Sequence, residues 1–339
     1  MNPWEKLKPP LKCDVLEEEA FSKASKAANK IPYQGKLRTA RRREEARVMV
    51  LANVFEKHLN RAIKILSTYF ETDEFYRELV KLYFSEGDIK RILKRFRGLL
   101  EVINKIRGDY IHRISREEDI SKLTRIRREA QGRIASLIKD IAEDMDIVID
   151  LYKYCRRLPS LDLEYPVFIV AGAPNTGKSS LVKKLSTANV KIASYPFTTK
   201  EIHVGHMREN YFIAQFIDTP GLLDRPISEK NPVEMKAILA LKYLKGEIIY
   251  LFDPSPERYY DPDKQFNIYF SITESFPDKE VLPVINKVDY IDGNVYNEIK
   301  KRLENLDYLE ISILKDINIS MLKKKIIEYI KKNYLKLRT

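Results

Sequence analysis

The sequence predicts an N-terminal antiparallel helical bundle followed by an α/β domain with a mainly parallel sheet, and three observations carry that expectation. Across residues 1–160, apolar residues recur at helical spacing over long stretches. After Leu158-Pro159-Ser160 the texture changes to short apolar runs alternating with helical patterns, the signature of a βα-alternating domain. The 339 residues suffice for two domains, each burying its own core. The spacing therefore predicts a basic helical domain over 1–160 and a second domain over 161–339.

In the first half, residues 38–70 contain no Pro or Gly and carry the stripe Val50, Val54, Leu59, Ile63 and Leu66. Residues 72–84 read as a shorter connecting helix. Asp88 is a candidate cap for the next helix, whose apolar positions include Ile89, Ile92, Leu93, Phe96, Leu99 and Ile103. A third long helical stretch is expected from Ser115 or Glu117 to about Arg157. Helices this long, each apolar on one face, need one another, which favours a bundle.

In the second half, Val167-Phe168-Ile169-Val170-Ala171 suits a buried parallel strand. Further strands are expected over 201–207, 211–217, 247–252, 281–285 and 309–313, and helices over 178–186, 233–243, 263–275, 296–306 and 319–334. The two early strands meet at Glu209-Asn210, a plausible tight hairpin, so one sheet edge should be antiparallel.

Hydrophobic residues make up 44% and charged residues 32% of the chain, as in a soluble globular protein, and no repeat or low-complexity tract interrupts it. No apolar run is long enough to cross a bilayer, and the N-terminus lacks the apolar core of a secretory signal. Cys13 and Cys155 stand far apart without metal-like spacing and are expected to be reduced thiols of a cytoplasmic protein. The net charge is +12, and 35 Lys and Arg against 25 Asp and Glu lie within residues 1–160. A basic domain beside a near-neutral one points to a polyanionic partner for the first, most simply nucleic acid.

Three motifs carry the chemistry. Gly172-Ala173-Pro174-Asn175-Thr176-Gly177-Lys178-Ser179 fits G-x-x-x-x-G-K-S between a strand and a helix. Its glycines let successive N–H groups, through Ser180, face phosphates at a helix N-terminus. Lys178 would bridge the β- and γ-phosphates, and the Ser179 hydroxyl would bind Mg2+. Asp218-Thr219-Pro220-Gly221 follows a strand, so Asp218 can hold Mg2+ through water while the Gly221 N–H senses the γ-phosphate. In Asn286-Lys287-Val288-Asp289, the Asp289 carboxylate can accept hydrogen bonds from guanine N1 and N2, which adenine cannot supply. Lys287 lays its stem along the base, and Asn286 ties this loop to the phosphate loop.

Between the first two motifs, Ser194-Tyr195-Pro196-Phe197-Thr198-Thr199 occupies the place of a switch whose threonine, Thr198 or Thr199, completes the Mg2+ shell. The Mg2+ set is thus Ser179, Thr199 and Asp218, with Thr198 the alternative. Lys178, the two threonines and Gly221 serve hydrolysis. Ser312-Ile313-Leu314 should supply the last base-contacting backbone, although Ile313 is bulkier than the small residue usual there. Leu222 follows Gly221 where many small GTPases place a water-orienting glutamine, so slow intrinsic GTP hydrolysis to GDP is expected, with help from a partner or a monovalent cation. Asn175 offers a carbonyl for such a cation, K+ being the candidate. His203 and His206, on an early strand, are read as structural.

These residues resemble the Obg group of translation-factor-related P-loop GTPases, more narrowly the nucleolar GTP-binding protein (Nog) branch in its short archaeal form. Besides the phosphate loop, the resemblance rests on Ala193-Ser194-Tyr195-Pro196-Phe197-Thr198-Thr199-Lys200 and Asp218-Thr219-Pro220-Gly221-Leu222-Leu223-Asp224-Arg225-Pro226. It extends to Phe252-Asp253-Pro254-Ser255 and, in the N-terminal half, to Ala20-Phe21-Ser22-Lys23-Ala24-Ser25-Lys26. It implies a Ras-like P-loop GTPase domain acting in large ribosomal subunit assembly, with the helical domain on rRNA. Candidate RNA contacts are Arg38, Arg41, Arg42, Arg43 and Arg47; Lys90, Arg91, Lys94, Arg95 and Arg97; and Arg125, Arg127, Arg128 and Arg133, some of which should pair with Glu44, Glu45 or Glu129. The expected partners are the large subunit or its precursor and rRNA, with no membrane, and a monomer when free. The rival expectations are a signalling switch with a protein partner and a tRNA-modification GTPase.

Overall fold

The computed structural model describes residues 1–195, 202–218 and 221–334 and divides the chain into two compact units. The first comprises residues 3–72 and 83–156. Its first helix, α1 (Cys13–Asn29), buries Cys13, Leu16, Ala20, Ala24 and Ala28, a stripe of mostly small residues that lets it pack closely on α2 (Lys36–Glu71). No such helix is expected from strong apolar periodicity, because alanine marks a face only weakly. Helix α2 covers the expected 38–70 and begins after Gly35, whose φ of 93° turns the chain. Trp4, fully buried, donates from Nε1 to the Ile65 carbonyl at 3.1 Å.

After α3 (Glu74–Lys81), helix α4 (Glu86–Arg116) starts three residues earlier than expected, because Ser85 rather than Asp88 is its cap. The Ser85 hydroxyl accepts from the Asp88 N–H, so Asp88 lies in the first turn. The third stretch is two helices, α5 (Ile120–Lys139) and α6 (Ala142–Arg157). Arg95 explains the break: it donates to the Asp140 carbonyl at 2.9 Å and pairs with buried Asp144 at 2.7 Å, beside Arg91 at 3.1 Å. The ends of both helices are thereby held from α4.

The second unit comprises residues 1–2, 73–82 and 157–339. A single cut after residue 160 does not describe it, because α3 packs here. Phe75, Tyr76, Leu79 and Val80 form the buried face of α3. The Tyr76 hydroxyl donates to the Pro159 carbonyl at 2.8 Å and accepts from the Leu161 N–H at 3.1 Å, clasping the linker. The linker is held again where Asp162 and Gln215 exchange two hydrogen bonds.

The chain then forms β1 (Val167–Gly172), α7 (Lys178–Leu185), β2 (Lys191–Ala193), β3 (Ile202–Glu209), β4 (Phe212–Asp218), α8 (Pro232–Leu239), β5 (Ile248–Phe252), α9 (Pro262–Ser275), β6 (Val281–Ile285), α10 (Gly293–Leu303), β7 (Leu309–Glu310) and α11 (Ile319–Tyr334). Strand order is β2-β3-β4-β1-β5-β6-β7, parallel except for the β2–β3 and β3–β4 pairs. The hairpin turns at Asn210, whose φ is 54°. Three-residue β2, largely exposed, has too little periodicity to be read from sequence. Helices α7 and α11 bury Leu181, Val182, Leu322 and Ile326 against Phe168, Val170, Ile249 and Leu251 on one sheet face. On the other, Tyr250 and Phe252 meet Phe266 and Tyr269 of α9. This is the expected architecture, a helical bundle and a Ras-like P-loop domain. Strand β1 lies at the topological switch point, between β4 and β5, where a crevice opens at the C-terminal strand ends.

Candidate functional site

The loop leaving β1 is shaped by backbone that few residues can adopt. Gly172 has φ 139°, Asn175 φ 63° and Gly177 φ 99°. A Cβ at Gly172 would lie 2.6 Å from the Leu251 carbonyl oxygen, and one at Gly177 would lie 2.6 Å from Asn286 Nδ2. Neither glycine can be replaced without opening the site. Thr176, buried, closes the loop by donating from Oγ1 to the Ala173 carbonyl at 2.9 Å. The Lys178 ammonium reaches back across the loop to the carbonyls of Gly172 at 2.8 Å and Ala173 at 2.6 Å. A cavity of about 380 Å³ opens here, lined by Pro174, Asn175, Gly177, Lys178, Ser179, Ser180, Gly221 and Asp224.

Asp218, at the end of β4, is fully buried and faces this cavity's helix. Its Oδ2 accepts from the Ser179 hydroxyl and lies 3.2 Å from His203 Nδ1, while Oδ1 has no hydrogen-bond partner among the described residues. A buried carboxylate oxygen without a partner is costly unless a cation or an ordered water meets it. Ser179 and Asp218 therefore fit Mg2+, although no cluster of three His, Cys, Asp or Glu side chains among the described residues could hold a metal by itself. His203, cross-strand from Asp218, is a neighbour of the site that the strand pattern left as structural. Thr198 and Thr199 lie outside the described residues, as do Thr219 and Pro220. Tyr195 is buried and donates from its hydroxyl to the Ala237 carbonyl of α8 at 2.8 Å.

Asn286, 3% exposed, joins the loops: Nδ2 donates to the Thr176 carbonyl at 2.9 Å, and Oδ1 accepts from the Ile313 N–H at 3.3 Å. The Ile313 backbone N–H expected to meet a base is thus directed at Asn286, and its side chain approaches Gly177. Ser312 is buried, its hydroxyl accepting from the Lys315 N–H at 3.0 Å, whereas Leu314 is exposed. Lys287, at φ 61°, pairs through Nζ with the carboxylate of Asp253 at the end of β5. Asp253 is itself fixed by the Ser255 N–H at 2.9 Å and by Gln265 on its backbone. Nothing in the Lys287 motif names Asp253; a buried acid at a strand end is its signal. Asp289 is exposed.

In the helical unit most candidate RNA contacts are already engaged. Arg47 and Arg127 converge on buried Glu44, Arg91 and Arg95 on Asp144, and Arg113 and Arg125 on Glu129. Arg41 donates to the Glu117 carbonyl, Arg42 to Gln34, Arg97 to Ser67, and Arg43 and Arg133 make contacts at 3.5 Å. Arg38, Lys90, Lys94 and Arg128 are exposed with no side-chain partner among the described residues.

Comparison with known proteins agrees with this arrangement. The family model of the NOG1 N-terminal helical domain matches residues 4–162, and that of Nucleolar GTP-binding protein 1 (NOG1) matches residues 232–289. An uncharacterized protein of Methanocaldococcus jannaschii, MJ1408, is 34% identical over 296 residues, 86% of this chain and 82% of that one. Nucleolar GTP-binding protein 1 of Encephalitozoon cuniculi is 30% identical over 80% of this chain, and that of Saccharomyces cerevisiae 30% identical over 68%. The chain spans 52% and 35% of those two eukaryotic relatives. With both family models matching, and eukaryotic members 30% identical over 68–80% of this chain, the chain belongs to the nucleolar GTP-binding protein 1 (NOG1) family.

Proposed function

We propose that the protein binds and hydrolyses GTP as a switch in large ribosomal subunit assembly, its helical unit docking on rRNA of the subunit or its precursor. The observation that carries the nucleotide reading is Asn286, which links the phosphate loop at Thr176 to the loop bearing Lys287 and Asp289. That link would let the two loops position both ends of a guanine nucleotide together. The phosphate-loop N–H groups and Lys178 would hold the phosphates, and the Asp289 carboxylate would read the guanine edge. Mg2+ would sit on Ser179 and Asp218, where it neutralises charge on the β- and γ-phosphates. Leu222 is 2% exposed and has no group to orient water. Hydrolysis therefore rests on positioning by the loop and on backbone donors, which supports a slow intrinsic rate.

The docking reading is supported by the basic helical unit and by the exposed cations Arg38, Lys90, Lys94 and Arg128, available for phosphate contacts. A cytoplasmic monomer is the reading for the free protein. Both cysteines are buried and in no disulfide among the described residues, where no helix is long and apolar enough to cross a membrane. Gradient co-sedimentation with a non-hydrolysable GTP analogue and with GDP tests the whole reading. A nucleotide-dependent peak with large-subunit particles is expected. Absence of that peak at low salt sinks the docking reading, and crosslinked tRNA in place of rRNA would move the protein to tRNA modification.

A further inference from the structure

Lys230 belongs to none of the recognised motifs, yet its side chain is 1% exposed. Its Nζ donates to the Gly221 carbonyl at 2.7 Å and lies 3.6 Å from Asp224 Oδ1. Burial pushes the pKa of this ammonium down, with Asp224 opposing the shift. A lysine kept in so dry a place is expensive unless it holds something.

The backbone beneath it is fixed on both sides. The Lys230 N–H donates to the Ile227 carbonyl at 3.0 Å, closing the short 3-10 helix Ile227–Glu229. Asn231, next in the chain, caps α8 by accepting from the N–H groups of Val233 and Glu234, and Glu234 returns a bond to the Asn231 N–H. Lys230 is thus projected from a rigid platform toward a segment rich in turns. That segment forms one wall of the phosphate cavity: Gly221 and Asp224 line it together with Asn175, Lys178 and Ser179. The wall meets the phosphate loop at a second point, where the Gly172 N–H donates to the Leu223 carbonyl at 3.3 Å.

We propose that Lys230 is a positioning residue for the γ-phosphate, holding the Gly221–Asp224 wall in place so that the site favours GTP over GDP. The inference rests on the GTP reading above. A diphosphate is held by the phosphate loop, whose backbone Lys230 does not touch. The third phosphoryl group is the part of the ligand that would reach Gly221, which lines the same cavity as Lys178 and Ser179. Removing Lys230 leaves the Gly221 carbonyl without its donor and frees the wall to move, so the loss falls on the triphosphate.

The test compares the full-length wild type, Lys230→Met and Lys230→Arg for binding of fluorescent GDP and of the non-hydrolysable analogue GMPPNP, with melting temperature measured alongside. Lys230→Met should bind GDP within about threefold of wild type and GMPPNP about tenfold or more weakly, the effect of losing one charge-assisted bond. Lys230→Arg, which keeps a buried cationic donor, should recover most of the difference. Equal weakening of both nucleotides, with a lowered melting temperature, would mean that Lys230 merely props the fold and would overturn the proposal. So would an unchanged ratio. Should Lys230→Met be insoluble, Lys230→Gln provides the same ratio. Wild type that binds neither nucleotide removes the GTP reading itself, whatever the variants do.

Discussion

Asn286 Nδ2 and the Thr176 carbonyl oxygen lie 2.9 Å apart across 110 residues of sequence, and this bond makes two loops one site. The same side chain accepts from the Ile313 N–H, so three loops meet on a single buried amide. Asn286→Ala would leave the Thr176 carbonyl and the Ile313 N–H without partners. Each buried orphan costs about 1–3 kcal/mol. Guanine-nucleotide affinity should fall by at least about tenfold, with a lower melting temperature. Isothermal titration with GDP, beside a thermal melt, measures both; unchanged affinity would count against the coupling.

The base loop makes a separate prediction through Asp253. Its carboxylate holds the Lys287 ammonium, which keeps the lysine stem available to lie flat on a base. Asp253→Ala should weaken guanosine and xanthosine nucleotides alike, because it loosens a stacking group and not a base-reading one. Asp289→Asn should instead shift preference from guanosine toward xanthosine nucleotides. Competition binding with GDP and XDP separates the two, and an unchanged GDP preference in Asp289→Asn would remove Asp289 from its assigned role.

Much of this site was legible because its elements have strong local signals. Gly172 and Gly177 must be glycine for steric reasons, and Asn286 follows a strand of five apolar residues. The contacts that escaped are those made between segments distant in sequence. His203 becomes a neighbour of Asp218 only through the antiparallel register of β3 and β4. Asp253 meets Lys287 only because β5 and β6 are adjacent. Helix α3 joins the second unit through Tyr76 and the linker carbonyls, which no periodicity reveals. The break between α5 and α6 depends on Arg95 of another helix, where the apolar stripe runs on almost without a gap.

Glu247 gives the protein a pH dependence at the N-terminal end of β5, away from the phosphate loop. Burial, and then the neighbouring Glu280, pushes its carboxyl pKa up to about 8. An unfolded glutamate titrates near about 4.3, so the folded state holds the proton more tightly. This contribution to stability is fully present below the unfolded value and is lost as pH rises through about 8. Glu247→Gln should therefore raise the melting temperature at pH 9 while changing it little at pH 5. Melts across that range check the sign; an equal shift at both pH values would indicate a packing effect alone.

Leu222 is buried, and this decides what a glutamine there would do. Leu222→Gln would place an amide in an apolar site at a cost of about 1–3 kcal/mol without presenting it to the cavity. The variant should melt several degrees lower, and its single-turnover GTP hydrolysis should be no faster than wild type. A clear rate increase would mean that the side chain swings out to the phosphates, contrary to its packing.

A further route to faster hydrolysis would be a charge supplied from outside the chain. Asn175 is exposed at φ 63° on the rim of the phosphate cavity, where its side-chain carbonyl has room to coordinate a monovalent cation. A cation there would offset the negative charge spread over the transferring phosphoryl group, a role otherwise proposed for Lys178 and Mg2+. Hydrolysis should then be faster in K+ than in Na+ at equal ionic strength, and Asn175→Ala should bring the two rates together while preserving GDP affinity. Identical rates in the two salts for wild type would leave Asn175 as a turn residue, chosen because asparagine tolerates the left-handed backbone.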